Sequence, residues 1–146
     1  MNLDDIYRET ILDHNQIPRN KGTLPNPTAS VGLLNPTCGD QIRLDVVVAD
    51  GKITDIRFDG QGCAISMASA SMMTEAVKGH SVAEGLALAR SFKAFLTGRP
   101  SEEDLGELSA LEGVSQFPSR VKCATLAHNA LEKALDPSKA DLDALD

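Results

Sequence analysis

The stretch Ile42-Arg43-Leu44-Asp45-Val46-Val47-Val48-Ala49-Asp50-Gly51-Lys52-Ile53-Thr54-Asp55-Ile56-Arg57-Phe58 decides the fold. Ile42, Leu44, Val46 and Val48 alternate with their neighbours, and after Asp50-Gly51 the alternation resumes at Thr54, Ile56 and Phe58. Period-two apolar patterning on both sides of a turn signal predicts an antiparallel hairpin with one buried face. A two-residue turn would set Val46 against Asp55 and Leu44 against Arg57. A loop one residue longer, over residues 50–52, sets Val46 opposite Ile56 and Leu44 opposite Phe58. A one-residue slip moves every side chain to the other face, so the longer loop is the predicted one.

Working outward, Ala29 to Leu34 reads as a third strand, ended by Asn35-Pro36. Leu3, Ile6, Tyr7 and Ile11 recur at helical spacing, which predicts a helix over residues 3–15 capped by Asn2. Pro18 and Arg19-Asn20-Lys21-Gly22 stop it, and residues 23–28, with Pro25 and Pro27, read as an extended surface linker. A helix follows from Ala64 to about Lys78, closed by Gly79. Ser81-Val82-Ala83-Glu84 fits a capping box and opens another helix, which runs to about Thr97. A short acidic helix is expected from Ser101 to about Leu111. Pro118 suits the first turn of a last helix, whose apolar stripe includes Val121, Ala124, His128, Leu131 and Leu135. The expected fold is α+β, a small antiparallel sheet of about three strands packed against helices. It forms one domain over residues 1–137, followed by an acidic tail over 138–146.

Composition narrows the function classes. The chain has 146 residues, no Trp, one Tyr and a net charge of -7. Few stacking aromatics and an acidic surface argue against nucleic-acid binding. The start, Met1-Asn2-Leu3-Asp4-Asp5, has no basic region followed by an apolar run, and no stretch approaches the ~18 apolar residues of a membrane span. A cytoplasmic protein with no membrane partner is expected, in a compartment where thiols stay reduced.

Against that background the three cysteines stand out: Cys38, Cys63 and Cys123, with Asp40 two residues after the first. A free thiol has a pKa near ~8.5, so ligand or nucleophile chemistry needs something to remove the proton. Cys63 directly precedes one predicted helix and Cys123 lies early in another, while Cys38 and Asp40 flank Gly39 in a turn. Three thiolates and a carboxylate suit tetrahedral zinc. The separations of 2, 25 and 60 residues contain no Cys-x-x-Cys knuckle. Spacing therefore leaves open both a shared metal site and three unrelated buried thiols.

Four segments resemble the IscU/NifU-type iron–sulfur cluster assembly family. They are Tyr7 to Gly22 (YRETILDHNQIPRNKG), Asn35-Pro36-Thr37-Cys38-Gly39-Asp40, Gly62-Cys63-Ala64-Ile65-Ser66 and Arg120-Val121-Lys122-Cys123-Ala124. The resemblance runs in order over about residues 3–135 and implies a SufE/NifU-like fold. Two features resemble the SufU branch: Lys122 stands where IscU-type scaffolds carry a histidine, and residues 98–116 look like that branch's insertion. A lysine ammonium has no free lone pair, so it does not replace a histidine ligand. The resemblance therefore implies zinc held by Cys38, Asp40, Cys63 and Cys123, rather than iron or a transient iron–sulfur cluster. It also implies a sulfurtransferase that accepts persulfide sulfur from a pyridoxal-phosphate cysteine desulfurase of the SufS type, with downstream iron–sulfur assembly proteins as further partners. In that reading a histidine of the desulfurase replaces Cys38 on the metal, and the freed Cys38 is the catalytic nucleophile. Arg120 and Lys122 either offset the site's formal charge or are solvated helix charges.

The remaining candidates have plainer readings. His14 suits a surface or capping role, His80 a helix end, and His128 a satisfied core position. Met67, Met72 and Met73 suit helix packing. The acidic residues Glu102, Glu103 and Asp104 suit a solvated face, or else a docking face for the desulfurase. Two alternatives to the sulfurtransferase remain: a non-catalytic cluster scaffold and a structural zinc domain that binds a partner.

Overall fold

The computed structural model describes residues 2–99 and 103–136. The predicted hairpin consists of β2 (Asp40–Ala49) and β3 (Lys52–Gln61), and β1 (Ala29–Asn35) pairs with β2 to give an antiparallel sheet in the order β1-β2-β3. Leu44 faces Phe58 and Val46 faces Ile56, as the apolar pattern requires. The turn differs from expectation, because Ala49 pairs with Lys52 and the loop is Asp50-Gly51 alone. Both loop residues have positive φ, 53° and 76°, the geometry of a type I′ turn. A bulge reconciles this two-residue turn with the register. Val47 pairs with Asp55 and Val48 with Ile53, leaving Thr54 as the extra residue. Ile53, not Thr54, therefore faces the core, while Thr54 is exposed and its hydroxyl donates to the Val47 carbonyl.

Among the described residues four α-helices complete the frame: α1 (Leu3–Gln16), α2 (Ala64–Val77), α3 (Val82–Leu96) and α4 (Pro118–Leu135). Asn2 caps α1 by accepting from the Asp5 amide, Ser81 and Glu84 form the expected capping box, and Pro118 stands in the first turn of α4. Leu44, Val46, Ile53, Ile56 and Phe58 from the sheet join Met72, Met73, Phe92 and Leu131 from the helices in one buried core. Gly60 is required where β3 crosses β2, since a Cβ there would lie 2.0 Å from the Gln41 carbonyl oxygen. Among the described residues no helix is long and apolar enough to cross a membrane.

Residues 21–28 are more than a linker. Amides of Gly22, Leu24 and Thr28 donate to the Phe58 carbonyl, the Asp45 carboxylate and the Val46 carbonyl, so the segment is pinned across the sheet. Burial pushes Asp45 up, but hydrogen bonds from Arg43, Ser30 and Leu24 outweigh it and hold the carboxyl below its ordinary range.

The segment over residues 98–116 also departs from expectation. The start of the predicted acidic helix, at Ser101 and Glu102, lies outside the described residues, as does the tail over 138–146. Among the described residues of this segment helical structure begins at Gly106, as a 3₁₀ segment that continues to Gln116. Its Leu108, Leu111 and Val114 are buried, so the segment is a packed element with one solvated side.

The central helix, α2, carries buried hydroxyls that tie its neighbours together. Ser71 meets His14 Nδ1 at 2.7 Å and accepts from the Arg19 amide, and His14 Nε2 meets Glu107 at 3.1 Å. His14 is therefore wholly buried and joins α1, α2 and the 3₁₀ segment, contrary to a surface role. His128 is a core histidine as expected, stacked on Phe92 with ring centroids 4.2 Å apart, but only Nε2 is hydrogen-bonded and its buried Nδ1 has no partner among the described residues. Ser69 donates to the Ala124 carbonyl at 2.6 Å, so the His128 Nε2–H donates to Ser69 and Nδ1 carries no proton.

Burial, with a smaller contribution from Lys93, holds His128 down at about 3. An unfolded histidine titrates near ~6.5, so the unfolded chain takes up this proton first. The stability contributed by the neutral ring is complete above that pH and is lost as pH falls toward 3. In NMR spectra the His128 ring shifts should stay constant between pH 8 and 5; a midpoint near 6.5 would overturn the buried neutral state.

Candidate metal centre

The β1–β2 hairpin ends in the four-residue loop Pro36–Gly39, which places Cys38 at the exposed tip beside the first turn of α4. Gly39 adopts φ 76°, and its amide donates to the Asn35 carbonyl, closing the loop. Asn35 and Asp40 face each other at the base of the loop, and both are buried. Cys123 is buried in the second turn of α4. Cys38 and Cys123, far apart in sequence, approach to 3.0 Å between sulfurs, with the Cys123 thiol donating. Ligand atoms of Cys38, Asp40 and Cys123 all lie within 4.8 Å of one another.

Cys63 stands just outside that group. Its sulfur caps α2, accepting from the Ser66 amide at 3.4 Å, while its own amide donates to Asp40 Oδ1 at 2.9 Å. Burial pushes the Cys123 thiol well above its ordinary value, and Cys38, Asp40 and Cys63 add to the shift. Cys123 therefore keeps its proton until something displaces it.

The residues present fit a divalent metal. Zinc–sulfur bonds of ~2.3 Å in a tetrahedron separate the donors by about 3.8 Å, comparable to the spread of these atoms. Gly62 leaves room for the carboxylate, since a Cβ there would lie 2.8 Å from Asp40 Oδ1. Beside it, the buried Ser66 hydroxyl has no hydrogen-bond partner. Arg120 and Lys122 are exposed and form no ion pair among the described residues, so no direct contact supports their charge-offsetting role.

Sequence reasoning missed Asn35. Its amide is 3.4 Å from Asp40 Oδ2 and 3.7 Å from Cys123 Sγ, which orients both groups. Its position inside the Asn35–Asp40 motif was the available signal. Gly62 was equally silent, because only the packed carboxylate explains it.

A three-stranded antiparallel sheet carrying a Cys/Asp cluster between its hairpin tip and a helix is the arrangement of a small α+β thiol or metal centre. The NifU-like N terminal domain family matches residues 6–124, and the chain belongs to that family. The chain is 48% identical over 136 residues to the "Zinc-dependent sulfurtransferase SufU" of Bacillus subtilis (strain 168), covering 92% of each chain. It is also 48% identical over 138 residues to the "Iron-sulfur cluster assembly scaffold protein IscU" of Streptococcus pyogenes serotype M1, covering 93% of this chain and 86% of that one. Among solved structures it resembles a putative iron–sulfur cluster assembly scaffold protein for the SUF system from Fervidobacterium islandicum AW-1. That likeness has a TM-score of 0.85 at 32% identity, covering 92% of this chain and 100% of the other.

Replacing Gly62 by Ala should displace the Asp40 carboxylate and break its hydrogen bond with the Cys63 amide. Hydrogen exchange at that amide should then speed up roughly tenfold, since one such bond contributes on the order of 1.5 kcal/mol. Unchanged exchange would mean Asp40 does not hold the start of α2.

Proposed function

We propose that this chain is a cytoplasmic, zinc-dependent sulfurtransferase that accepts persulfide sulfur from a pyridoxal-phosphate cysteine desulfurase of the SufS type for iron–sulfur cluster assembly. The observation that carries the reading is the contrast within the cluster: Cys38 is exposed on a loop, while Asp40 and Cys123 are buried. Cys38 can meet a partner's thiol chemistry, and the other groups are held by the fold. Cys38, Asp40, Cys63 and Cys123 would hold the metal. Zinc, when bound, would keep thiolates deprotonated while contributing no redox chemistry of its own.

The transfer is a thiol exchange. The Cys38 thiolate bonds to the outer sulfur of the donor's persulfide, the donor's S–S bond breaks, and the donor cysteine leaves as thiolate with the bonding pair. One S–S bond replaces another and one thiolate replaces another, so no external oxidant or reductant enters. Asp40 and Asn35 position the neighbouring thiol, and the Pro36–Gly39 loop supplies the freedom Cys38 needs to reach a partner.

A cluster scaffold is the second reading, favoured by the scaffold name of the Streptococcus relative. Lys122 argues against it, because an ammonium offers no lone pair where a ligand would be needed. Protein purified without oxygen should be colourless and hold about one zinc per chain, the number a single tetrahedral set takes. A brown protein with iron and acid-labile sulfide, and no zinc, would establish the scaffold instead.

Cys38→Ala should abolish stimulation of the desulfurase while circular dichroism and the melting temperature stay close to those of the parent chain. Full stimulation by that variant would exclude Cys38 as the acceptor. Loss of stimulation together with loss of the fold would point instead to a structural zinc domain.

A further inference from the structure

Between the C-terminal end of β1 and α4 runs a groove of about 390 Å³. Leu33, Leu34 and Leu126 supply its apolar surface, and α4 adds Lys122, Asn129 and Lys133. These three stand at i, i+7 and i+11, so they share one helix face. Lys122 and Lys133 are about 16 Å apart along the axis, at ~1.5 Å per residue. In a chain with net charge -7, no carboxylate among the described residues lines this groove.

The donors facing the groove are also unused. Among the described residues Lys122 and Lys133 form no ion pair, and no group bonds the Asn129 amide. The neighbouring helix differs: Arg90 and Lys93 are paired with Glu132 and Asp136. The strand side of the groove is a sheet edge, because among the described residues β2 is the only strand paired with β1. An edge strand beside a helix is the setting in which an extended peptide binds by strand addition. Main-chain bonds then contribute affinity, and side-chain contacts contribute specificity.

We propose that this groove docks an extended, acidic segment of a partner protein. Strand residues rise ~3.3 Å each and alternate faces, so two carboxylates four residues apart span about 13 Å on one face. The flexible lysine stems cover the remaining distance. An apolar side chain midway between the carboxylates lies on Leu33 and Leu126, on the face of β1 turned toward the core. A compact small anion would meet one lysine and leave the other unpaired, so an extended chain is the better fit.

The groove ends at the thiol cluster. Asn35 and Thr37 line it; Asn35 contacts Asp40 and Cys123, and Thr37 precedes Cys38. A docked segment therefore tethers its own protein next to the exposed thiol and raises the effective concentration of whatever group meets Cys38. Docking and sulfur transfer are read by different measurements, so either can fail while the other stands.

The probe is a fluorescein-labelled heptapeptide, SDTLTDS, with SKTLTKS as control. SDTLTDS should bind the full chain, shift the NMR amides of residues 33–37 and 122–133, and weaken as salt rises. Lys133→Glu and Asn129→Asp should each reduce its affinity tenfold or more, and SKTLTKS should not bind. Absent binding, equal binding by both variants, or shifts mapping to Leu3, Ile6 and Leu12 on α1 would overturn the proposal. A chain with Asp141, Asp143 and Asp146 all changed to Asn that binds SDTLTDS tenfold more tightly would assign the groove to the chain's own acidic tail instead.

Discussion

A wholly buried carboxylate, Asp40, is the constraint on which the arrangement of this molecule turns. An ionised group removed from water needs hydrogen bonds or opposite charge, or it shifts its protonation state. Here Oδ1 accepts the Cys63 amide at the start of α2, and Oδ2 lies near the Asn35 amide. The same Asn35 amide reaches Cys123 on α4. Asp40 and Asn35 together thus link the β1–β2 hairpin to two helices, and the absent side chain of Gly62 makes the space. Satisfying Asp40 and assembling the thiol cluster are the same structural event.

The rest of the frame holds those helices in place by a related device. Buried hydroxyls on α2 reach both ways: Ser69 to α4 through the Ala124 carbonyl and His128, and Ser71 to α1 through His14. Glu107 extends the second link to the 3₁₀ segment. Small hydroxyl residues allow a helix to pack closely on all sides, and the Ser69, Ser71 and Thr74 hydroxyls buried this way have partners, whereas that of Ser66 beside the thiol cluster has none among the described residues. The 3₁₀ segment is therefore attached to the core by Leu108 and Leu111 and by the His14–Glu107 pair, while Glu103 and Asp104 just before it are exposed, as expected of a solvated acidic face.

Exposure divides the labour at the cluster. Cys123 is desolvated and held by a helix, and Cys63 is occupied in capping α2. Cys38 alone stands on an exposed loop. The groove beside it adds a second asymmetry, a patch of donors with no ion-pair partner among the described residues on an acidic chain, continuous with the residues that flank the thiols. A reactive sulfur and a place to hold its partner then lie at one end of the sheet.

Period-two patterning was enough to pair Leu44 with Phe58 and Val46 with Ile56, because side-chain alternation is a local property and only one register buries both strands. Capping at Asn2 and Ser81 and the proline entry to α4 were legible for the same reason. The ligand-type residues were legible too, since thiols and carboxylates can be read one by one. The approach of Cys38 to Cys123, the burial of His14 and the role of Asn35 were decided only when helices packed on the sheet. Each depends on residues far apart in sequence, whose proximity no local period encodes. The hairpin turn lies between these cases. Asp50-Gly51 announced a two-residue loop and the apolar pattern announced a register it could not reach, and only the bulge at Thr54 satisfies both.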